Sequence, residues 1–242
     1  MEDERYFLVK NGYYLEQRDR KREMHIANPP SEEILRALYD KSYFEGTAQS
    51  GYHHNVFKNI VKQTAKAIRK VERVQRFLPE QSKILDVGCG PGFFVSQARD
   101  AGFLAQGCDI SQAAAEYAKK HLDLEISTGD FLKLSTIENT YDCISMFSYL
   151  EHTLSPKENL QKAHSLLRLN GLLALSIPNV WGISRYVQGR NWRGFSFPEH
   201  LHFWGKREMA TLLEENKFSE VKAPIGDNNF FRDTVYYFAW KR

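Results

Sequence analysis

Three segments and a handful of histidines hold the residues whose types and spacing could do chemistry. In Ile84-Leu-Asp-Val-Gly-Cys-Gly-Pro-Gly-Phe-Phe94 an apolar run ends at Asp86, and Gly88, Gly90 and Gly92 lead into a helical pattern. Glycine admits left-handed backbone and close approach of the main chain to a ligand. A helix start offers open N–H groups to an anionic group such as a carboxylate. The Gly-x-Gly-x-Gly spacing departs from the Gly-x-Gly-x-x-Gly of dinucleotide-binding turns. Asp86 sets a carboxylate against the same pocket, where it repels a pyrophosphate and attracts an ammonium or sulfonium. In Gly107-Cys-Asp-Ile-Ser111, Asp109 lies 19 residues beyond Gly90, where an acidic residue takes ribose hydroxyls, with Ile110 beside it. A plain helix cap at Asp109 would look the same. Ser127-Thr-Gly-Asp-Phe131 ends a third run with Asp130, placed to accept from an exocyclic amine, and the ring of Phe131. A turn aspartate explains Asp130 equally well. His152, His200 and His202 have the side chain suited to proton transfer at neutral pH, and Glu151 and Glu199 adjoin two of them. A structural hydrogen bond is the competing role for each histidine.

These residues need elements to position them. From Lys83 onward, short apolar runs alternate with helical stretches, the mark of βαβ units in a parallel sheet. Strands are expected at 84–87, 105–108, 125–127, 143–147, 172–177, 220–223 and 234–240, with helices near 93–99, 111–121, 156–169 and 206–216. The fold expected is α/β: a Rossmann-like, mostly parallel seven-stranded sheet with helices on both faces, plus an N-terminal helical or irregular cover. Residues 1–54 form that extension, with Ser31 capping a short helix. Residues 55–242 form the main domain. Residues 178–204 hold Trp181, Tyr186, Trp192, Phe195, Phe197, Phe203 and Trp204, too aromatic a loop for disorder, and read as a lid insertion.

Residues 55–78 form a basic amphipathic helix in which Lys58, Lys62, Lys66, Arg69, Lys70, Arg73 and Arg76 face only Glu72. A solvated helix face accounts for it; an anionic or nucleic-acid surface is the rival. With 42% apolar and 26% charged residues the composition is that of an ordinary globular chain, which excludes disorder. No apolar stretch approaches the length of a membrane span, and the acidic N-terminus has no signal-peptide core. Cys89, Cys108 and Cys143 are odd in number and lack metal-ligand spacing, so reduced core thiols and a cytoplasmic location are expected, with no metal.

As an ordered set the motifs resemble the class I S-adenosylmethionine-dependent methyltransferases over roughly residues 80–240. The branch they look most similar to is the small-molecule one that includes the ubiquinone-biosynthesis O-methyltransferases. Tyr141-Asp-Cys-Ile-Ser-Met-Phe147, Tyr149-Leu-Glu-His152, Leu167-Arg-Leu-Asn-Gly-Leu-Leu-Ala-Leu175, Ile177-Pro-Asn179 and Phe197-Pro-Glu-His-Leu-His-Phe-Trp204 carry the rest of the likeness. The resemblance implies S-adenosylmethionine as cofactor and S-adenosylhomocysteine as product. It places Asp86, Gly88, Gly90 and Gly92 around the methionine end, Asp109 and Ile110 at the ribose, and Asp130 and Phe131 at the adenine. Phe147 would lie near the sulfonium, and Tyr43 and Tyr52 would close over the cofactor from Tyr39–Tyr52. Residues 1–28 contain no cysteine, so any zinc module like that of some relatives has lost its metal or never existed. Ser148-Tyr-Leu-Glu151 stands where base and glutamine methyltransferases carry Asn/Asp-Pro-Pro-aromatic. The expected reaction is methyl transfer to a small molecule, O-methylation ahead of N or C, with His152 or His200 as base and His202 behind them. Nucleic acid is not expected as a partner. The rivals are a nucleic-acid methyltransferase using the basic helix, a cofactor-binding module without turnover, and a nicotinamide oxidoreductase, which the glycine spacing and Asp86 disfavour.

Overall fold

The structure, a computed structural model, describes residues 7–17, 23–46, 55–224 and 231–242. In chain order its elements are β1 (Leu8–Lys10), β2 (Tyr13–Gln17), β3 (Glu23–Ile26), α1 (Glu32–Leu38), α2 (Lys41–Glu45), α3 (Ile60–Gln75), β4 (Lys83–Val87), α4 (Phe93–Asp100), β5 (Leu104–Asp109), α5 (Gln112–Leu122), β6 (Ser127–Thr128), β7 (Tyr141–Phe147), α6 (Pro156–Leu166), β8 (Leu167–Pro178), α7 (Ile183–Gln188), β9 (His202–Trp204), α8 (Lys206–Glu215), β10 (Phe218–Lys222) and β11 (Thr234–Lys241).

Continuous apolar runs mark strands covered on both faces, and they assemble into a seven-stranded sheet of order β10-β11-β8-β7-β4-β5-β6. β8, β7, β4, β5 and β6 run parallel; β11 is antiparallel to both neighbours. One apolar cluster runs through Leu85, Val87, Ile144, Met146, Leu173 and Tyr237 on one face. The other face packs Ile84, Val95, Ala105, Cys143, Phe147 and Phe238. The chain steps from β4 outward to β5 and β6, then returns to β7 on the other side of β4. Ligands of open α/β sheets bind at such a reversal, beyond the carboxyl ends of the strands.

The N-terminal extension departs from the expected helical or irregular cover. β1, β2 and β3 form an antiparallel meander, and β9 from the aromatic segment 178–204 pairs with β3 to complete a four-stranded sheet. Leu8, Leu15, Met24 and Ile26 meet Trp192, Phe195, Phe197 and Phe203 in a separate cluster. Strands of three to five residues show too few alternations to reveal a period, and the closing partner is about 180 residues away in sequence. Helix α1 follows as expected and α2, which the sequence pattern does not predict, comes after it, with Ser31 and Asp40 accepting from backbone N–H groups at their starts. The basic helix is shorter than expected, at Ile60–Gln75, and not all its charges are solvated. Lys70 Nζ lies 4.9 Å from the centre of the Phe147 ring, and the Arg73 guanidinium 4.4 Å from that of Tyr236. Among the described residues no helix is long and apolar enough to cross a membrane.

Candidate active site

At the carboxyl ends of β4, β5 and β7 opens a crevice of about 200 Å3. Its floor is the glycine turn. Gly88, Gly90 and Gly92 all have positive φ (69°, 53° and 83°), so their absent Cβ atoms are a backbone requirement. Their surroundings separate their roles. A Cβ on Gly88 would come within 2.5 Å of the Tyr149 ring, and one on Gly90 would find nothing nearer than Phe44 at 3.7 Å. Gly88 and Gly90 line the crevice. Gly92 faces Leu124 and Ile126 instead, and serves the seating of α4 rather than the crevice.

Asp109 ends β5 with both carboxylate oxygens engaged: Gly90 N donates to Oδ2 at 2.7 Å and Ser111 N to Oδ1 at 2.9 Å. Burial pushes its carboxyl up, and the N–H groups of Ser111, Gly90 and Ile110 hold it down. The carboxylate keeps lone-pair capacity for a ligand hydroxyl beyond these donors. Asp130 lines the crevice and caps a 3-10 turn at Phe131–Lys133, accepting from Leu132 N at 3.0 Å. Ile110, Phe131 and Tyr43 are also on the wall; Tyr52 lies outside the described residues.

Asp86 lies beneath the crevice, not on its surface. It is buried at 4% exposure, and the Ser145 hydroxyl on neighbouring β7 donates to Oδ1 at 2.6 Å. Burial raises its carboxyl to about 7, against the pull of the Lys70 ammonium and of Ser145. Phe147 is not a crevice residue either. Every second residue of β7 faces the same side, and Phe147 falls with Cys143 against Phe94 and Tyr236 in the core. The expectation for Phe147 fails on this pleat.

The histidines separate as well. His152 closes a 3-10 turn (Leu150–His152) after β7 and lines the crevice. Its Nδ1 is 3.0 Å from the Tyr39 hydroxyl, and its Nε2 is 3.8 Å from Glu151 Oε1. His200 is absent from the crevice wall but packs edge-on against His152, ring centres 4.7 Å apart. The His200 Nδ1 meets the Gly194 carbonyl at 2.7 Å; a carbonyl only accepts, so the proton of the neutral ring is on Nδ1 and Nε2 carries the lone pair. Burial lowers both imidazoles, His152 well below its usual range, with His200 adding to the effect and a hydrogen bond to the Glu199 backbone opposing it, and His200 to about 4 against its bond to Gly194. Both rings are neutral at pH 7. Burial also raises Glu151 to about 8, and its Oε2 has no hydrogen-bond partner. Donor atoms of Glu151, His152 and His200 lie within 4.8 Å of one another, a set that could hold a divalent cation. Glu199 is held by the Ser196 hydroxyl. His202 leaves the site: it is on β9 opposite His25 and stacks on Trp204 in a different groove.

Sequence reasoning missed Tyr39 as a partner of His152, and missed Phe44 and Tyr149 as wall residues. The Ser148-Tyr149-Leu150 segment gave one usable sign for Tyr149, an aromatic just beyond a strand end at the switch point. Tyr39 and Phe44 come from α1–α2, where only tertiary docking reveals the role. The Ser111 hydroxyl, donating to Tyr39 O at 2.6 Å, fastens that cover to the start of α5.

A family model described as a methyltransferase domain matches residues 52–223. Curated relatives include the ubiquinone biosynthesis O-methyltransferases of Histophilus somni, 30% identical over 147 residues (56% of this chain, 61% of that protein), and of Glaesserella parasuis, 32% identical over 107 residues (40% and 45%). The matches thus span about half of the relatives' own length. The solved magnesium protoporphyrin IX methyltransferase of Synechocystis, with S-adenosylhomocysteine bound, superimposes with a TM-score of 0.61 at 19% identity, over 88% of this chain and all of that one. Sheet order, glycine turn and family match define the class as the Rossmann-like, S-adenosylmethionine-dependent methyltransferases. The chain belongs to the methyltransferase domain family.

Proposed function

We propose that the chain transfers a methyl group from S-adenosylmethionine to a hydroxyl of a small-molecule acceptor, with His152 as general base. One observation carries this reading: a neutral imidazole on the wall of the cofactor crevice, braced by Tyr39 on one nitrogen and close to Glu151 on the other. The names of the curated relatives support oxygen as the acceptor atom.

The crevice fits the cofactor by its donors and its space. Asp109 has lone pairs for ribose hydroxyls, Asp130 and Phe131 offer an acceptor and an aromatic face to an adenine, and Gly90 leaves the turn uncovered. Asp86 supplies negative potential from below for the cationic methionine end. When bound, the cofactor supplies an activated methyl on a sulfonium, so the protein's task is chiefly alignment. His152 removes the acceptor's proton as its oxygen is alkylated, and the ring is ready because burial keeps it unprotonated. Tyr39 fixes the ring's orientation. Glu151, 3.8 Å from Nε2, is held largely protonated at neutral pH by burial, so it does not charge the ring before the acceptor's proton arrives. Phe44, Tyr43 and Tyr39 exclude water from the reacting groups. The three free cysteines fit a reducing, cytoplasmic setting.

The test is transfer of labelled methyl to a panel of catechols, phenols and primary amines. Catechol or phenol acceptors are expected to be methylated, and His152→Ala is expected to lower kcat by about 10²–10⁴ with S-adenosylhomocysteine affinity unchanged. Turnover on amines alone, or an H152A variant with full kcat, would contradict the reading.

A further inference from the structure

Lys162, on α6, is a half-buried cation outside every motif above, and its surroundings are unusually complete. Its Nζ donates to the carbonyls of Phe131 at 2.7 Å, Leu132 at 3.2 Å and Leu134 at 2.6 Å, and lies 5.1 Å from the centre of the Phe131 ring. An ammonium has three N–H donors and no acceptor; here three carbonyls take them. These carbonyls end the 3-10 turn Phe131–Lys133, where main-chain oxygens have no partner within the turn. The opposite end of the same turn is capped by Asp130, through Leu132 N at 3.0 Å, while Lys133 N and Leu134 N donate to the Asp130 carbonyl at 2.9 and 3.1 Å. One turn is therefore pinned at its start by Asp130 and at its end by Lys162, and it presents both Asp130 and Phe131 to the crevice.

We propose that Lys162 is a positioning residue for base recognition: by gathering the Phe131–Leu134 carbonyls it holds the Asp130 carboxylate and the Phe131 ring where they select a 6-aminopurine. This rests on the reading of Asp130 and Phe131 as the adenine end of the site. Without Lys162 three carbonyls under the turn lose their charged donor and the turn rotates to find water. The Asp130 carboxylate then no longer faces a fixed point, and discrimination between an amino and an oxo group at the purine 6-position is lost. Affinity that comes from the ribose and methionine ends is left in place, because Asp109 and the glycine turn are held by other bonds.

The experiment is calorimetric titration of the full chain with S-adenosylhomocysteine and with S-inosylhomocysteine, whose base has an oxygen in place of the amine. Three proteins are compared: wild type, Lys162→Met, which keeps the length of the stem, and Lys162→Arg, which keeps donors. Wild type is expected to prefer the adenine ligand by about tenfold or more, since a site built to pair an N–H rejects a ligand that lacks it. K162M is expected to bind the adenine ligand about tenfold more weakly and the inosine ligand within about threefold of wild type, so that the preference falls to near parity. K162R is expected to retain most of the preference. A K162M protein that keeps the wild-type preference, or that loses both ligands equally with a lowered melting temperature, overturns the proposal, the second result marking a purely structural lysine. A wild-type chain that binds both ligands equally well overturns the adenine reading of Asp130 itself, and the proposal with it.

Discussion

Asp86 shows how a single buried carboxyl links occupancy of the site to pH. Its carboxyl sits at about 7 because burial outweighs Lys70 and Ser145, so near neutrality only about half of the molecules hold the charge that a cationic ligand needs. Cofactor affinity is therefore expected to rise by roughly tenfold between pH 6 and pH 8, and Asp86→Asn to flatten that rise; calorimetry with S-adenosylmethionine, which carries the sulfonium charge, checks it across this range. At Gly88 the constraint is steric. Its φ of 69° and the Tyr149 ring 2.5 Å from an added Cβ predict that Gly88→Ala lowers the melting temperature and displaces Tyr149, read as loss of cofactor binding. Site residues are legible in sequence to the extent that backbone rules place them. Asp109, at a strand end before a capped helix, and the positive-φ glycines follow from local pattern. Phe147 does not, because it lies at the right end of the right strand and only the pleat turns its ring into the core. Tyr39 does not either, because its use depends on a contact 113 residues away in sequence.

At the scale of elements, the parallel strands were readable because burial on both faces leaves unbroken apolar runs, as in Leu172–Ile177. The four-stranded sheet was not: β1–β3 alternate over three to five residues, and β9 hides inside an aromatic segment. This sheet is what joins the segment 178–204 to the N-terminal cover, and Leu15, fully buried beneath Phe195 and Phe203, is part of its core. Leu15→Ala is expected to cost about 2–4 kcal/mol, expressed locally as faster protease cleavage within 178–204. Cleavage at the wild-type rate would mean that the small sheet does not hold this segment. The helix α6 stops at Leu166 rather than near 169 because the chain turns there into β8, which begins five residues before Leu172. The apolar pattern Leu166-Leu167-Arg168-Leu169 fits a helix end and a strand start equally well.

For the whole molecule the buried ionisable groups set opposite slopes in stability. His200, depressed to about 4, contributes stability that is complete above pH 6.5 and is lost as pH falls from 6.5 towards 4; His152, depressed also, acts in the same direction. Glu151 and Asp86, raised to about 8 and about 7, contribute stability that is complete at acid pH and is lost as pH rises through 4 to 8. Urea midpoints are thus expected to pass through a maximum, and Glu151→Gln to remove part of the loss on the alkaline side. An E151Q variant whose alkaline decline matches wild type would contradict the raised Glu151. The net charge of +3 is concentrated on α3, yet Lys70 and Arg73 fold over aromatic rings and exposed Val61 and Ile68 interrupt the remaining cations.

The central claim is that the crevice above Gly88–Gly90 holds S-adenosylmethionine through Asp109, and titration of the chain and of Asp109→Ala with S-adenosylhomocysteine tests it most directly. Micromolar binding by the wild type is expected, with a loss of roughly 1–3 kcal/mol in the variant as ribose hydroxyls lose their acceptors. No heat at millimolar ligand, or an Asp109→Ala protein that binds as tightly as wild type, would contradict it.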